Sequence, residues 1–137
     1  MLQCNDYNKN YLDLLEQLTC VNKETIVYDK FCTFVNNLDA NHVIYVIEND
    51  NKIVATGTII IEQKLIHGLG LIGHIEDIVV DKQYNGKNLG RTIMNNLIEY
   101  AKIMNCYKVI LDCNDYVTPF YEKCGFIKKG NCMAMYF

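Results

Sequence analysis

Two adjacent acids, Glu76 and Asp77, interrupt an otherwise apolar run, H-I-E-D-I-V-V. The β-branched residues around them predict a buried strand over His74–Val80. A carboxylate in such a run is costly unless it is paired, hydrogen-bonded or opened to a cleft. Adjacent strand residues point to opposite faces, so the two acids are expected to serve different surroundings. Further on, Gly86 and Gly90 open an apolar-periodic segment, with Lys87 and Arg91 beside them. Glycines there let the backbone approach a ligand closely, and the first N–H groups of a helix can receive phosphate oxygens. Acids on a strand beside an anion-binding turn suggest a site where a phosphate-bearing cofactor meets a polar substrate. Two glycines alone are equally the mark of an ordinary turn. The turn is not an ATP-type loop, because the G-K-[ST] ending is missing, and it lacks the G-x-G-x-x-G dinucleotide fingerprint.

Asp112 lies between Leu111 and Cys113 at the end of a second apolar run. In sheets with parallel strands, ligands gather at the carboxyl ends. Tyr121 follows on a short helix, where a core tyrosine is the plainer reading. Lys64 and His67 stand in a glycine-flanked loop and could bind an anion or simply face solvent. The seven cysteines, Cys4, Cys20, Cys32, Cys106, Cys113, Cys124 and Cys132, are odd in number and show no C-x-x-C pair. They are expected to be free thiols, with no metal site, in a cytoplasmic protein.

The elements that must position these residues follow from periodicity. Residues 1–137 are expected to form one domain. Half of them are hydrophobic, and a net charge of −3 gives no reason to expect a nucleic-acid partner. No apolar run reaches the ~18 residues of a membrane span, and the start has no signal-peptide pattern. Tyr11–Leu18 reads as a short amphipathic helix, and Lys23–Leu38 as a second over its later part. His42–Glu48 and Ile53–Glu62 read as strands joined at Asn49–Lys52, with Gly57 admitting close packing. Gln63–Gly73 reads as a loop. Leu89, Ile93, Leu97, Ala101 and Met104 form one helical stripe, the longest helix. Tyr107–Cys113 is then a strand reached by a right-handed crossover. Pro119–Cys124 is a short helix stopped by Gly125, and Phe126–Lys128 with Cys132–Phe137 a final hairpin.

This order of elements resembles the GNAT acetyltransferase superfamily. Its cofactor motif, [R/Q]-x-x-G-x-[G/A], is matched by Gln83-x-x-Gly86-x-Asn88, with Asn88 a departure. Asn114 and the run Phe120–Phe126 (F-Y-E-K-C-G-F) resemble the closing motif. Longer runs, Ile59–Val80, Cys106–Asn114 and Phe120–Phe126, resemble the glucosamine 6-phosphate N-acetyltransferase family within it, from about Leu12 to Met135. The implied fold is α+β: a GNAT-like acyl-CoA N-acyltransferase fold whose mixed sheet joins an antiparallel meander to a parallel crossover. The family's first strand looks missing, since the residues before Tyr11 are few and polar. A C-terminal phosphate-binding arginine of the family is replaced by Tyr136.

The resemblance implies acetyl transfer from acetyl-CoA to the 2-amino group of glucosamine 6-phosphate, a step of UDP-N-acetylglucosamine biosynthesis, by direct attack. Ile78, Val79 and Val80 would hold the pantetheine arm, and an N–H near Ile78 the oxyanion. Gly86, Lys87, Asn88, Leu89, Gly90 and Arg91 would hold the pyrophosphate. Asn114 and Tyr121 would complete the cofactor site. Asp112 and Glu76 would orient the amine and favour proton loss, and Tyr121 would protonate the departing thiolate. Lys64 and His67 would contact the phosphate, with Thr19 and Asp77 near the sugar. A covalent acyl-enzyme on Cys113 is not needed. The family implies a homodimer in which the C-terminal strand crosses to the partner. Two other readings are an enzyme acetylating another small amine or peptide, and a non-catalytic acyl-CoA-binding module.

Overall fold

The β-branched runs pair into one sheet. In the computed structural model, which describes residues 1–136, β1 (His42–Asn49), β2 (Lys52–Gln63), β3 (Leu71–Val80) and β4 (Cys106–Ile110) lie in the order β1-β2-β3-β4. The first three form an antiparallel meander, and β4 runs parallel to β3. Two helices, α1 (Tyr11–Leu15) and α2 (Tyr28–Asn36), precede the sheet, and one distorted turn, α3 (Ile66–Leu69), joins β2 to β3. The crossover to β4 is α4 (Leu89–Ile103), and α5 (Thr118–Lys123) follows β4. Among the described residues no helix is long and apolar enough to cross a membrane.

The expected stripe of α4 is its buried face. Ile93, Met94, Leu97 and Ala101 pack on Val43, Ala55, Ile59, Ile61 and Ile75 on one side of the sheet. The other side is covered by Tyr11, Leu12, Leu14 and Phe31 of α1 and α2, against Ile44, Ile53 and Val79. That second cover is partial. Ile60 and Ile110 remain 39% and 38% exposed. At the outer edge of β1, Leu2 donates a single backbone hydrogen bond to Ile44, 2.9 Å, and among the described residues no strand precedes β1.

Several boundaries differ from the sequence expectation. The loop expected over Gln63–Gly73 is shorter, because its two ends are strand: Gln63 ends β2 and pairs with Leu71, the first residue of β3. Gly73 is there for packing, because a Cβ on it would lie 3.0 Å from Cδ1 of Ile59. The strict alternation expected for the two acids fails. Thr58 pairs with Glu76 but Thr56 with Val79, so Asp77 and Ile78 oppose Gly57 alone. This is a β-bulge, and Asp77 takes the left-handed conformation (φ +53°) that such bulges use. β4 ends at Ile110 rather than Cys113, because its pairing with β3 stops at the rung of His74 with Ile110. The final hairpin is absent. No strand follows Gly125 among the described residues, and Met133, Met135 and Tyr136 are exposed; Phe137, the end of that expected hairpin, lies outside the described residues. A short ribbon is marginal in water unless its apolar face is buried, and within the single chain these side chains bury nothing.

Gly57 is a packing requirement of the bulge. A Cβ there would fall 2.6 Å from Cγ2 of Ile93, and closer still to Ile78. Gly57→Val is therefore expected to destabilise the fold by at least roughly 1–3 kcal/mol, the usual cost of overpacking a core. The midpoint of urea denaturation measures this; an unchanged midpoint would show that α4 can shift without cost.

Candidate active site

The turn after β3 is pinned before it reaches the glycines. Asp81, nearly fully buried, takes a 2.7 Å ion pair from Lys52 and accepts from the N–H of Gln83 at 3.0 Å. Lys52 and that N–H hold its carboxyl below the usual range. The side chain of Gln17 accepts from the N–H of Lys82 at 2.9 Å, which packs the end of the α1 segment, where Thr19 lies exposed on a bend, beside this turn. Asn49 donates to the hydroxyl of Tyr84, and the ammonium of Lys87 stands 4.5 Å above the Tyr84 ring.

The chain then presents bare donors. Among the described residues, the N–H groups of Gly86, Asn88, Leu89, Gly90 and Arg91 have no hydrogen-bond acceptor. They converge on the N-terminus of α4, where the helix dipole favours an anion. Gly86 has φ +81° and open space around its missing side chain. Asn88, the departure from the motif, sits in the left-handed region at φ 60°, where asparagine is among the best-tolerated residues after glycine. A Cβ on Gly90 would lie 3.3 Å from Cζ of Phe120, so the start of α4 packs closely on α5. The Arg91 side chain does not reach into the turn. It donates to the carbonyl of Lys123 at 3.2 Å, holding the end of α5.

Beyond the His74–Ile110 rung, β3 and β4 part into a V. The edge of Ile75–Val80 that would face β4 has no strand partner among the described residues. It offers an extended ligand a place to add as a strand. At the mouth of the V the acids meet. Partial desolvation of its carboxyl, then the charges of Asp77 and Asp112, push Glu76 above the ordinary carboxylate range, against the pull of His74. The bulge has thus put Glu76 and Asp77 into one neighbourhood instead of on opposite faces. Asp112 accepts from the Cys132 thiol at 3.3 Å. A groove of about 1100 Å³ beside it is lined by Cys113, Thr118, Tyr121 and Cys132, among others. Tyr121 is half-buried on α5 between the rings of Phe120 and Phe126. Burial, with the Cys113 and Cys124 thiols nearby, raises its hydroxyl above the usual phenol value, so it keeps its proton at neutral pH. Asn114 lies four residues beyond the end of β4, its carbonyl accepting from the N–H of Val117.

In the Gln63–Gly68 loop both candidate anion-binding side chains have partners within the chain. The Lys64 ammonium is not free but paired with Glu62, and the His67 ring packs on Tyr107 with centroids 4.7 Å apart. Glu62 also takes the Nε2 of His74 at 2.9 Å. Glu62 and His74 were not singled out in the sequence, and neither was Lys108. The signal was available: His74 stands two residues from Glu76 and so shares its face. The register puts Thr58 with Glu76, Ile60 with His74, and Glu62 with Ile72 and Lys108 on the half of the sheet that α1 and α2 leave open. Among the described residues, no group of three or more His, Cys, Asp or Glu side chains is arranged to hold a metal ion.

Residues 7–126 match the model of the acetyltransferase (GNAT) family. The chain is 42% identical over 139 residues to the glucosamine 6-phosphate N-acetyltransferase of Arabidopsis thaliana, covering 99% of this chain and 93% of that one. It is 43% identical to the enzyme of that name from Candida albicans, covering 94% and 88%. The crystal structure of the Arabidopsis protein superposes with a TM-score of 0.95, at 40% identity, over 99% of this chain and 95% of that one.

The acidic cluster makes a pH prediction. Glu76 ionises above its ordinary value partly because Asp77 is charged beside it. Asp77→Asn removes that like charge, so Glu76 loses its proton at lower pH. If Glu76 must be ionised for activity, the acid limb of the kcat/KM profile moves to lower pH. A limb that stays put would exclude Glu76 as the titrating group.

Proposed function

The chain belongs to the GNAT acetyltransferase family and, within it, to the glucosamine 6-phosphate N-acetyltransferases, and on that premise we propose that it carries the acetyl group of acetyl-CoA to the 2-amino group of glucosamine 6-phosphate by direct attack in a ternary complex. The observation that carries the mechanism is the V between β3 and β4, with bare N–H groups at the α4 end and carboxylates at its mouth. The pyrophosphate of acetyl-CoA fits the N–H cradle of Gly86–Arg91, and the pantetheine arm fits the free edge of Ile78–Val80. The thioester then lies toward Glu76 and Asp112. These two orient the amine and draw off its proton, with Glu76 the better acceptor because its carboxyl is less acidic than usual. Backbone N–H near Ile78 stabilises the oxyanion. Tyr121, still protonated at neutral pH, donates to the departing thiolate.

Asn114 and Tyr121 complete the acetyl-CoA side, while Thr19 and Asp77 border the sugar. No acyl-enzyme on Cys113 is required. Lys64 and His67 are the sugar-phosphate residues of this reading, and Lys108 is a further cation on the open face. The same open face and the exposed Met133, Met135 and Tyr136 support assembly as a homodimer, in which the tail would find the apolar surface it lacks in one chain. Seven cysteines without a disulfide suit a cytoplasmic protein. The deciding experiment is thiol release from acetyl-CoA with glucosamine 6-phosphate, glucosamine, a polyamine and a peptide amine. Preference for either of the last two would overturn the substrate assignment, and no turnover with any would leave only a binding module.

Two variants probe the site. Gly86→Val is expected to raise KM for acetyl-CoA several-fold or more, since φ +81° suits glycine and the side chain would stand between backbone and pyrophosphate. A folded variant with wild-type KM would remove the cradle from the mechanism. Tyr121→Phe is expected to lower kcat by up to roughly 10²-fold with little change in sugar KM, because its donor acts on charge that appears only as the thiolate leaves. Wild-type kcat, measured where chemistry limits turnover, would return Tyr121 to a packing role.

A further inference from the structure

Glu62 stands on the open half of the sheet, outside the acid cluster, and the mechanism above gives it no part. Its two oxygens have separate partners. One takes the Lys64 ammonium, and the other lies 2.9 Å from Nε2 of His74. Lys64 and His74 hold its carboxyl below the ordinary range, so it stays ionised across the neutral region. Both pairs are solvent-exposed, with Glu62 44% exposed and its partners about a third. Ion pairs of this kind contribute little to stability. Their geometry is nonetheless specific: two donors, Lys64 just past the end of β2 and His74 on β3, converge on one carboxylate.

We propose that Glu62 is a specificity-determining residue, an internal anion that occupies the Lys64–His74 donors until the doubly charged phosphate of the sugar displaces it. The idea rests on the reading that Lys64 contacts that phosphate, and it adds His74 as the second donor. A carboxylate brings one negative charge and a phosphate two, so the dianion wins the ammonium, while a neutral or singly charged group does not. The exposed pair is cheap to break, which lets the exchange occur. The carboxylate that remains nearby still repels the bound dianion. Wild-type affinity is therefore held below what the two donors could provide, and selectivity for a dianion over weaker competitors is the result. The register supports the placement, since His74 shares a face with Glu76 and stands at the last rung before the strands part.

The probe is inorganic phosphate as an inhibitor competing with glucosamine 6-phosphate, at constant ionic strength. Glu62→Gln keeps the size and one acceptor but removes the charge. It is expected to lower both Ki for phosphate and KM for glucosamine 6-phosphate by roughly three- to ten-fold, as loss of one nearby like charge in a solvated site implies. KM for unphosphorylated glucosamine should move less than two-fold. Glu62→Ala, lacking the acceptor as well, should shift the phosphate constants in the same direction. An unchanged or raised Ki in both folded variants overturns the proposal and makes Glu62 a support for Lys64. Lys64→Ala separates the two ideas. If it weakens phosphate inhibition while the Glu62 variants change nothing, only the role of Glu62 falls. If phosphate inhibition is untouched by Lys64→Ala, the phosphate reading falls, and the Glu62 proposal with it.

Discussion

Asp77 and Ile78 stand opposite the single residue Gly57, and the bend this forces in β3 is the constraint on which the site depends. The ladder with β4 stops at His74, just ahead of the bulge, and among the described residues the edge of Ile75–Val80 on that side has no strand. The bulge also ends strict alternation at the acids. The cost is a left-handed aspartate and an obligatory glycine, the glycine set against the buried face of α4. Strain of this sort persists only where the surrounding packing fixes it, and here Ile93 and Leu97 fill the space a side chain on Gly57 would need.

The two ends of the V are prepared in opposite electrostatic senses. At the α4 end, uncharged N–H groups without acceptors and a helix dipole favour an anion, and the cations nearby are spent elsewhere. Arg91 secures α5, Lys87 lies over Tyr84, and Lys52 holds Asp81. At the mouth, negative charges gather closely enough to weaken the acidity of Glu76. A carboxylate made a better proton acceptor suits an ammonium that must arrive at the thioester as a free amine. The open sheet face then adds the Lys64 ammonium and the His74 imidazole, both paired with Glu62.

Strand and helix identities were legible because the period of apolar residues states them directly. The stripe from Leu89 to Met104 became the packed face of α4, and Gly57 became the close-packing point that an isolated strand glycine suggests. The turn of bare N–H groups was readable from Gly86 and Gly90, since only the local backbone decides which of them are left without acceptors. Even the departure at Asn88 is explained locally, by a left-handed conformation that asparagine tolerates.

What the sequence could not state is how strands stand against one another. One residue of register separates the expected opposed acids from the observed cluster. That register was decided by Gly57 packing under Ile93, a contact between segments far apart in the chain. The pairing of Lys64 and His74 through Glu62 likewise needs β2 and β3 side by side. The tail shows the reverse case: its pattern predicts a hairpin, yet within one chain no surface buries its apolar side chains, so the pattern alone forms nothing. Sequence by itself determined most of the elements, the glycine turn before α4 and the residue types of the candidate site, because these follow from local backbone and side-chain chemistry. Tertiary structure decided which charges share a neighbourhood, because electrostatic and packing energies depend on distances that only the assembled sheet sets.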